Sequence, residues 1–180
     1  MALDVYLQSF QDGLAGGGDA ASALAFLQRY RADLDGFGAW QIDLDDEGGV
    51  EVTGLSDLEE AEPDEAWALS CLVRLAEWTP RSADFLFGLA QRGRMAVIVP
   101  HEDAPGGAYV LLPMDVDRED LPDEDSFDAP EGIESARELF AALAPLQQAH
   151  RADRGGDESY FRRRKPGVIA RFWRLVRGKH

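Results

Sequence analysis

Asparagine does not occur in this chain, lysine occurs only at positions 165 and 179, and Cys71 is the single cysteine. Each scarcity excludes something. One thiol cannot form a disulfide or a cysteine-cluster metal site within the chain, and such usage fits a reducing compartment. Without a lysine before Lys165 there is no GxxxxGK[ST] phosphate loop, and no carboxylate cluster in the first 164 residues has the lysine that a Schiff-base or lysine-dependent nuclease site needs. No apolar run approaches the ~18 residues of a membrane span, and the N-terminal MALDVYLQSF has neither the basic start nor the long apolar stretch of a secretory leader. A cytoplasmic protein is expected. The 16 arginines beside two lysines suggest a GC-rich bacterial genome and say nothing about function.

What the chain has in abundance is negative charge, and it is unevenly placed. Residues 1–150 hold eight Arg against 31 Asp and Glu, a net of minus 23, whereas residues 151–180 hold ten Lys and Arg against three acids, a net of plus 7. The chain of 180 residues is long enough for one well-packed domain, so 1–150 is expected to be an acidic globular domain and 151–180 a basic tail.

Hydrophobic periodicity gives the elements. Leu3, Val5 and Leu7 alternate with polar neighbours, as in a half-buried strand, and Asp19 precedes a helix with Ala23, Leu24, Leu27 and Tyr30 on one face, ending near Asp35 and Gly36. Trp40, Ile42 and Leu44, then Val50 and Val52 after a glycine turn, read as a β-hairpin. The run DEAWALSCLVRLAEW over 64–78 is apolar on more than one face and reads as a buried helix containing Cys71. Thr79 and Pro80 fit the N-cap and first turn of a further helix bearing Phe85, Leu86 and Leu89, which Gly93 should stop. MAVIVP and AYVLLP are two neighbouring strands, the first central; Ile133, Ala136, Phe140 and Leu143 mark a last helix that Pro145 should kink or end. The expected fold is α/β of the α+β type, in the order β α β β α α β β α. About five strands form a mixed or largely antiparallel sheet with helices packed on it, and a C-terminal basic amphipathic helix follows.

No motif for chemistry emerges. Gly16, Gly17 and Gly18 do not match GxGxxG and read as a flexible turn. Asp43, Asp45, Glu47 and Gly48 imitate half of an EF-hand loop, but Gly54 stands where the bidentate acid belongs; in Asp115, Asp117, Glu119 and Asp120, an acid stands where the turn glycine belongs. His101, beside Glu102 and Asp103 at the end of an apolar strand, is the best acid–base candidate, with no partner legible. Cys71 lacks the electropositive setting of a nucleophile, no GxSxG elbow exists, and no metal or cofactor is expected.

Charge therefore carries the functional reading. An acidic body repels nucleic acid and attracts basic proteins. Two clusters stand out: Asp57, Glu59, Glu60, Glu62, Asp64 and Glu65; and Asp115, Asp117, Glu119, Asp120, Asp123, Glu124, Asp125 and Asp128. In the tail, Arg162, Arg163, Arg164 and Lys165 precede a stretch with Val168, Ile169, Phe172, Trp173 and Val176 near one side and Arg171, Arg174 and Arg177 interleaved. Such a segment suits an anionic membrane surface, a partner's groove, or the chain's own acidic body. The leading expectation is a non-enzymatic protein-binding module engaging a basic partner, in the manner of a bacterial inhibitor or toxin-neutralising immunity protein. The analogy is one of size, charge and missing catalytic motifs. The alternatives are a membrane-peripheral adaptor held at the inner face by the tail, and an enzyme using His101 with nearby carboxylates.

Overall fold

The computed structural model describes residues 3–44, 48–55, 68–101, 107–122 and 130–153. Their elements run β1 (Leu3–Gln8), β2 (Phe10–Gln11), β3 (Leu14–Ala15), α1 (Ala20–Arg29), β4 (Asp33–Leu34), β5 (Ala39–Asp43), β6 (Gly49–Thr53) and β7 (Ser70–Leu75). They continue with α2 (Pro80–Arg92), β8 (Ala96–Pro100), β9 (Ala108–Pro113), a 3-10 turn at Arg118–Asp120, β10 (Glu131–Ile133) and α3 (Ala136–Asp153). Eight strands form one mixed sheet in the order β10-β9-β8-β1-β7-β6-β5-β4, and β2 and β3 form a separate hairpin. Every pairing in the large sheet is antiparallel except that of β10 with β9.

The alternation in β1 sets the two faces. Leu3, Val5 and Leu7 point into the main core with Val97, Val99, Val50, Val52, Cys71, Val73 and Leu75, where the helices cover the sheet. Helix α2 packs against both α1 and α3. The centre of that layer is aromatic: Phe26, Tyr30 and Phe85 meet with ring centroids 5.0–5.6 Å apart, and Trp78 stacks on Phe140 at 5.7 Å. The opposite face is divided. Over β8 and β9 it carries a second core of Ala96, Ile98, Val110 and Leu112, completed by Phe10, Val116 and Leu121 from the hairpin and the segment after β9. Over β7, β6 and β5 it meets solvent with charged side chains, and Arg74 bridges Asp4 at 3.3 Å and Glu51 at 3.1 Å. An antiparallel sheet can present such a face to water.

Three expectations are corrected. The sheet has eight strands rather than about five, because the two-residue β4 and three-residue β10 are too short to produce a periodic signal and because 70–75 is not helical. That stretch is β7, with Cys71, Val73 and Leu75 buried, Ser70 and Leu72 half-buried and Arg74 exposed. A short apolar run gives no decisive period, and pairing with β1 on one side and β6 on the other overrides the helix preference of Leu72, Arg74 and Leu75. Finally, Ile133 ends β10 rather than opening the last helix, and α3 passes through Pro145 to Asp153. Residues 64–67 and the C-terminal amphipathic helix lie outside the described residues.

The helix ends follow from local chemistry. Asp19 caps α1 by accepting from the Ser22 amide at 2.8 Å, and its own amide donates to the Gly93 carbonyl at the end of α2 at 3.1 Å. Thr79 and Ser82 form a reciprocal capping box that spans Pro80 in the first turn. Gly93 does close α2, but with ordinary φ; the left-handed position belongs to Arg94, at φ +54, whose amide donates to Gln91 while Met95 donates to Ala90. Helix α1 ends the same way at Arg29 rather than near Asp35 and Gly36 as expected, with Arg31 at φ +51, its amide on Gln28 and that of Ala32 on Leu27, before Asp33 and Leu34 enter β4. These are Schellman closures in which arginine occupies the position glycine favours.

Arg94→Gly is therefore expected to stabilise the fold by about 0.5 kcal/mol, strain relief of about 1 kcal/mol being partly offset by a more flexible unfolded chain, and the urea midpoint measures it. The reverse holds at Gly54, at φ +97, where an added Cβ would lie 2.6 Å from the Ser70 carbonyl oxygen of the neighbouring strand. Gly54→Ala is expected to cost more than about 1 kcal/mol in the same measurement.

Candidate partner-binding surface

The segment after β9 alternates anchors with charges. Val116 and Leu121 are buried in the second core, while Met114, Asp115, Asp117, Arg118 and Glu119 between and beside them are exposed. Local hydrogen bonds fix its path: the Val116 amide donates to Pro113 at 2.9 Å, Asp120 to Asp117 at 3.2 Å and Leu121 to Arg118 at 3.2 Å. The β2–β3 turn clamps it from the side. The Gly13 amide donates to the Asp120 carbonyl at 3.1 Å, and the Asp12 amide reaches the Asp120 carboxylate at 3.3 Å.

The carboxylates predicted to act together thus divide. Asp120 holds the hairpin, whereas Asp115, Asp117 and Glu119 face solvent and make no ion pair among the described residues. Asp123, Glu124 and Asp125 lie outside the described residues, as do Asp57, Glu59, Glu60 and Glu62 of the other acidic cluster and Arg162, Arg163, Arg164, Lys165, Phe172 and Trp173 of the tail. Beside the loop, Asp115 shares an open cleft of about 480 Å³ with Asp19, Ser22, Gln91, Arg92 and Arg94. Negative and positive groups therefore meet at one corner of this surface. No sequence signal brings Arg92 and Arg94 to Asp115, because the end of α2 and the loop after β9 are adjacent only in the folded chain.

Two further candidates for chemistry, Cys71 and His101, lie among the described residues. The Cys71 thiol is buried and its pKa is pushed up to about 12 by desolvation, which leaves it protonated at neutral pH and consistent with the inert core thiol expected from its setting. His101 follows β8, its amide donates to Gly107 at 3.0 Å and its ring lies against Tyr109, with centroids 5.4 Å apart. Glu102 and Asp103 lie outside the described residues, and no group of three potential metal ligands occurs among those described. No described helix is long and apolar enough to cross a membrane.

At the far edge of the sheet, the β4–β5 turn presents Phe37, which is 99 % exposed, beside the partly exposed Leu34. Periodicity does not find such a residue, since it belongs to no buried face. Asp35 makes the turn: its carboxylate accepts from the amides of Ala39 at 3.0 Å and Phe37 at 2.8 Å and from the Gln41 side chain at 3.2 Å. These donors, the Ala39 amide foremost and then Phe37, favour the ionised form and lower the Asp35 pKa below its ordinary 3.8. A lowered folded-state pKa contributes stability above the unfolded value and loses it as pH falls through the folded one. In urea titrations at descending pH, the stability gap between the native chain and Asp35→Asn is expected to shrink from pH 3.8 downward. A gap independent of pH would remove the carboxylate's role in the turn.

Compared with known protein families, curated proteins and solved structures, the chain matches none.

Proposed function

We propose that this protein is a non-enzymatic binding module that engages a basic protein partner through the loop after β9. The observation that carries the reading is that Asp115, Asp117 and Glu119 stand exposed, without ion pairs among the described residues, on a segment pinned by two buried apolar anchors. Carboxylates held on a rigid support lose little conformational freedom on binding, and their field speeds encounter with a cationic surface. The acidic composition of residues 1–150 extends that field beyond the loop.

The cleft beside Asp115 supplies selectivity. Arg92 and Arg94 repel a uniformly basic partner there and favour one whose cationic patch carries a neighbouring acid or neutral group. This distinguishes the module from a sink for any polycation, and it suits an inhibitor or immunity-type protein that must recognise one target.

The test begins with affinity co-purification from the native cell, followed by binding of the purified pair. Neutralising the loop by Asp115→Asn, Asp117→Asn and Glu119→Gln together is expected to weaken binding about tenfold, since exposed charges contribute about 0.2–1 kcal/mol each. Raising ionic strength should weaken the native pair and affect the neutralised variant less. Equal affinity of the two proteins, at low and high salt, would overturn the reading. A membrane adaptor gives a different pattern: sedimentation with anionic vesicles that survives loop neutralisation and is lost in Phe172→Ala with Trp173→Ala.

A further inference from the structure

On the helix side of the sheet's parallel edge, β9, β10 and α3 enclose an open groove of about 530 Å³. The buried Leu111, Ile133 and Leu143 lie at its base, and the accessible apolar surface of its floor and of the α3 wall is that of Tyr109, Ala141, Ala142 and Pro145. Glu131 and Glu138 stand on its rim, and Glu134 lies between them in sequence, its amide donating to the Glu138 carboxylate at 2.7 Å. Arg137 is the one basic residue of that stretch, so the rim is acidic around an apolar floor.

Helix α3, which forms one wall, leads directly into the basic part of the chain. Beyond Asp153 lie 27 residues, of which 168–177 alternate bulky apolar side chains with arginines. The 14 residues 154–167 can extend over at most about 46–50 Å, while returning along α3 from Asp153 to Leu143 requires only about 15 Å. Length permits the return, and charge and apolarity match.

We propose that residues 168–177 of the same chain seat in this groove, with Phe172 and Trp173 toward its apolar floor and Arg171, Arg174 and Arg177 toward Glu131, Glu134 and Glu138. Other occupants fit less well. An anionic lipid surface is flat and is repelled by the acidic rim, and the ten residues that line the groove are fewer than the roughly 20–30 a side of a stable interface between two copies. The inference is independent of the loop's role in partner binding.

Disulfide trapping in the full chain tests it, and Cys71 is a silent background because its thiol is buried and its pKa is about 12. Ala141→Cys is combined with Ile169→Cys or, separately, with Val176→Cys; Gln41→Cys, on the exposed face of the sheet, replaces Ala141→Cys in the control. The expected result is a monomeric, internally linked product from at least one groove pair, formed faster than with the control. Linking should slow about fivefold when Glu131→Lys and Glu138→Lys reverse the rim charge, as loss of exposed charge pairs permits. Linking no faster than the control, linked dimers alone, or an unlinked chain that sediments with phosphatidylglycerol vesicles would each overturn the proposal.

Discussion

The first strand of the chain is the innermost of the fold, and everything else is arranged around its two edges. β1 pairs over all six residues with β7, from Leu3 opposite Leu75 to Gln8 opposite Ser70, and on its other edge with β8. The sheet cannot be continuous until segments about 70 and 90 residues downstream arrive, so the fold is dominated by contacts distant in sequence, a topology that folds slowly. The register also fixes every face. A one-residue slip would send Leu3, Val5 and Leu7 out of the helix-covered core and Asp4 and Gln8 into it.

Where β1 ends, the chain leaves the sheet with the backbone of Ser9 paired, although the buried Gln8 Oε1 has no hydrogen-bond partner among the described residues. Ser9 pairs twice with Leu69, its amide donating to the Leu69 carbonyl at 2.9 Å and its hydroxyl accepting the Leu69 amide at 2.9 Å. Gln8, fully buried opposite Ala96, donates to the Ser9 carbonyl at 2.9 Å. The exit launches the β2–β3 hairpin across the second face, where Phe10 joins the second core and Asp12 and Gly13 grip Asp120. The path of the acidic loop is thus a consequence of how the first strand terminates.

What the sequence makes legible is set by how locally each feature is determined. Elements with a full period and a cap of their own, such as α1 with Asp19, α2 with Thr79 and Pro80, and the hairpin of β5 and β6, are readable because their signals lie within one window. β7 is not, since its identity comes from strands at both its edges, and neither β4 nor β10 has the length to carry a pattern. The same division runs through the candidate surface. The run of acids from Asp115 is visible as composition, but that Asp120 is a structural clamp and Arg92 and Arg94 border the cleft depends on elements far apart in the chain.

Electrostatics then links the surface to the rest of the molecule. Arg74 on the open face is shared between Asp4 and Glu51, and these are the ion pairs formed among the described residues. Exposed pairs of this kind contribute little to stability, so among the described residues the carboxylates that serve the fold do so by hydrogen bonding, as Asp19, Asp35 and Asp120 do, rather than by ion pairing. Self-repulsion within such a surface is relieved by bringing cations to it, whether from another protein or from the basic segment of the same chain. The two sources are not equivalent. A tethered segment acts at a high effective concentration and needs only weak contacts, whereas a separate partner must overcome the entropy of association and so requires a rigid, pre-ordered display. The shallow groove beside α3 meets the first requirement, and the core-anchored loop after β9 meets the second.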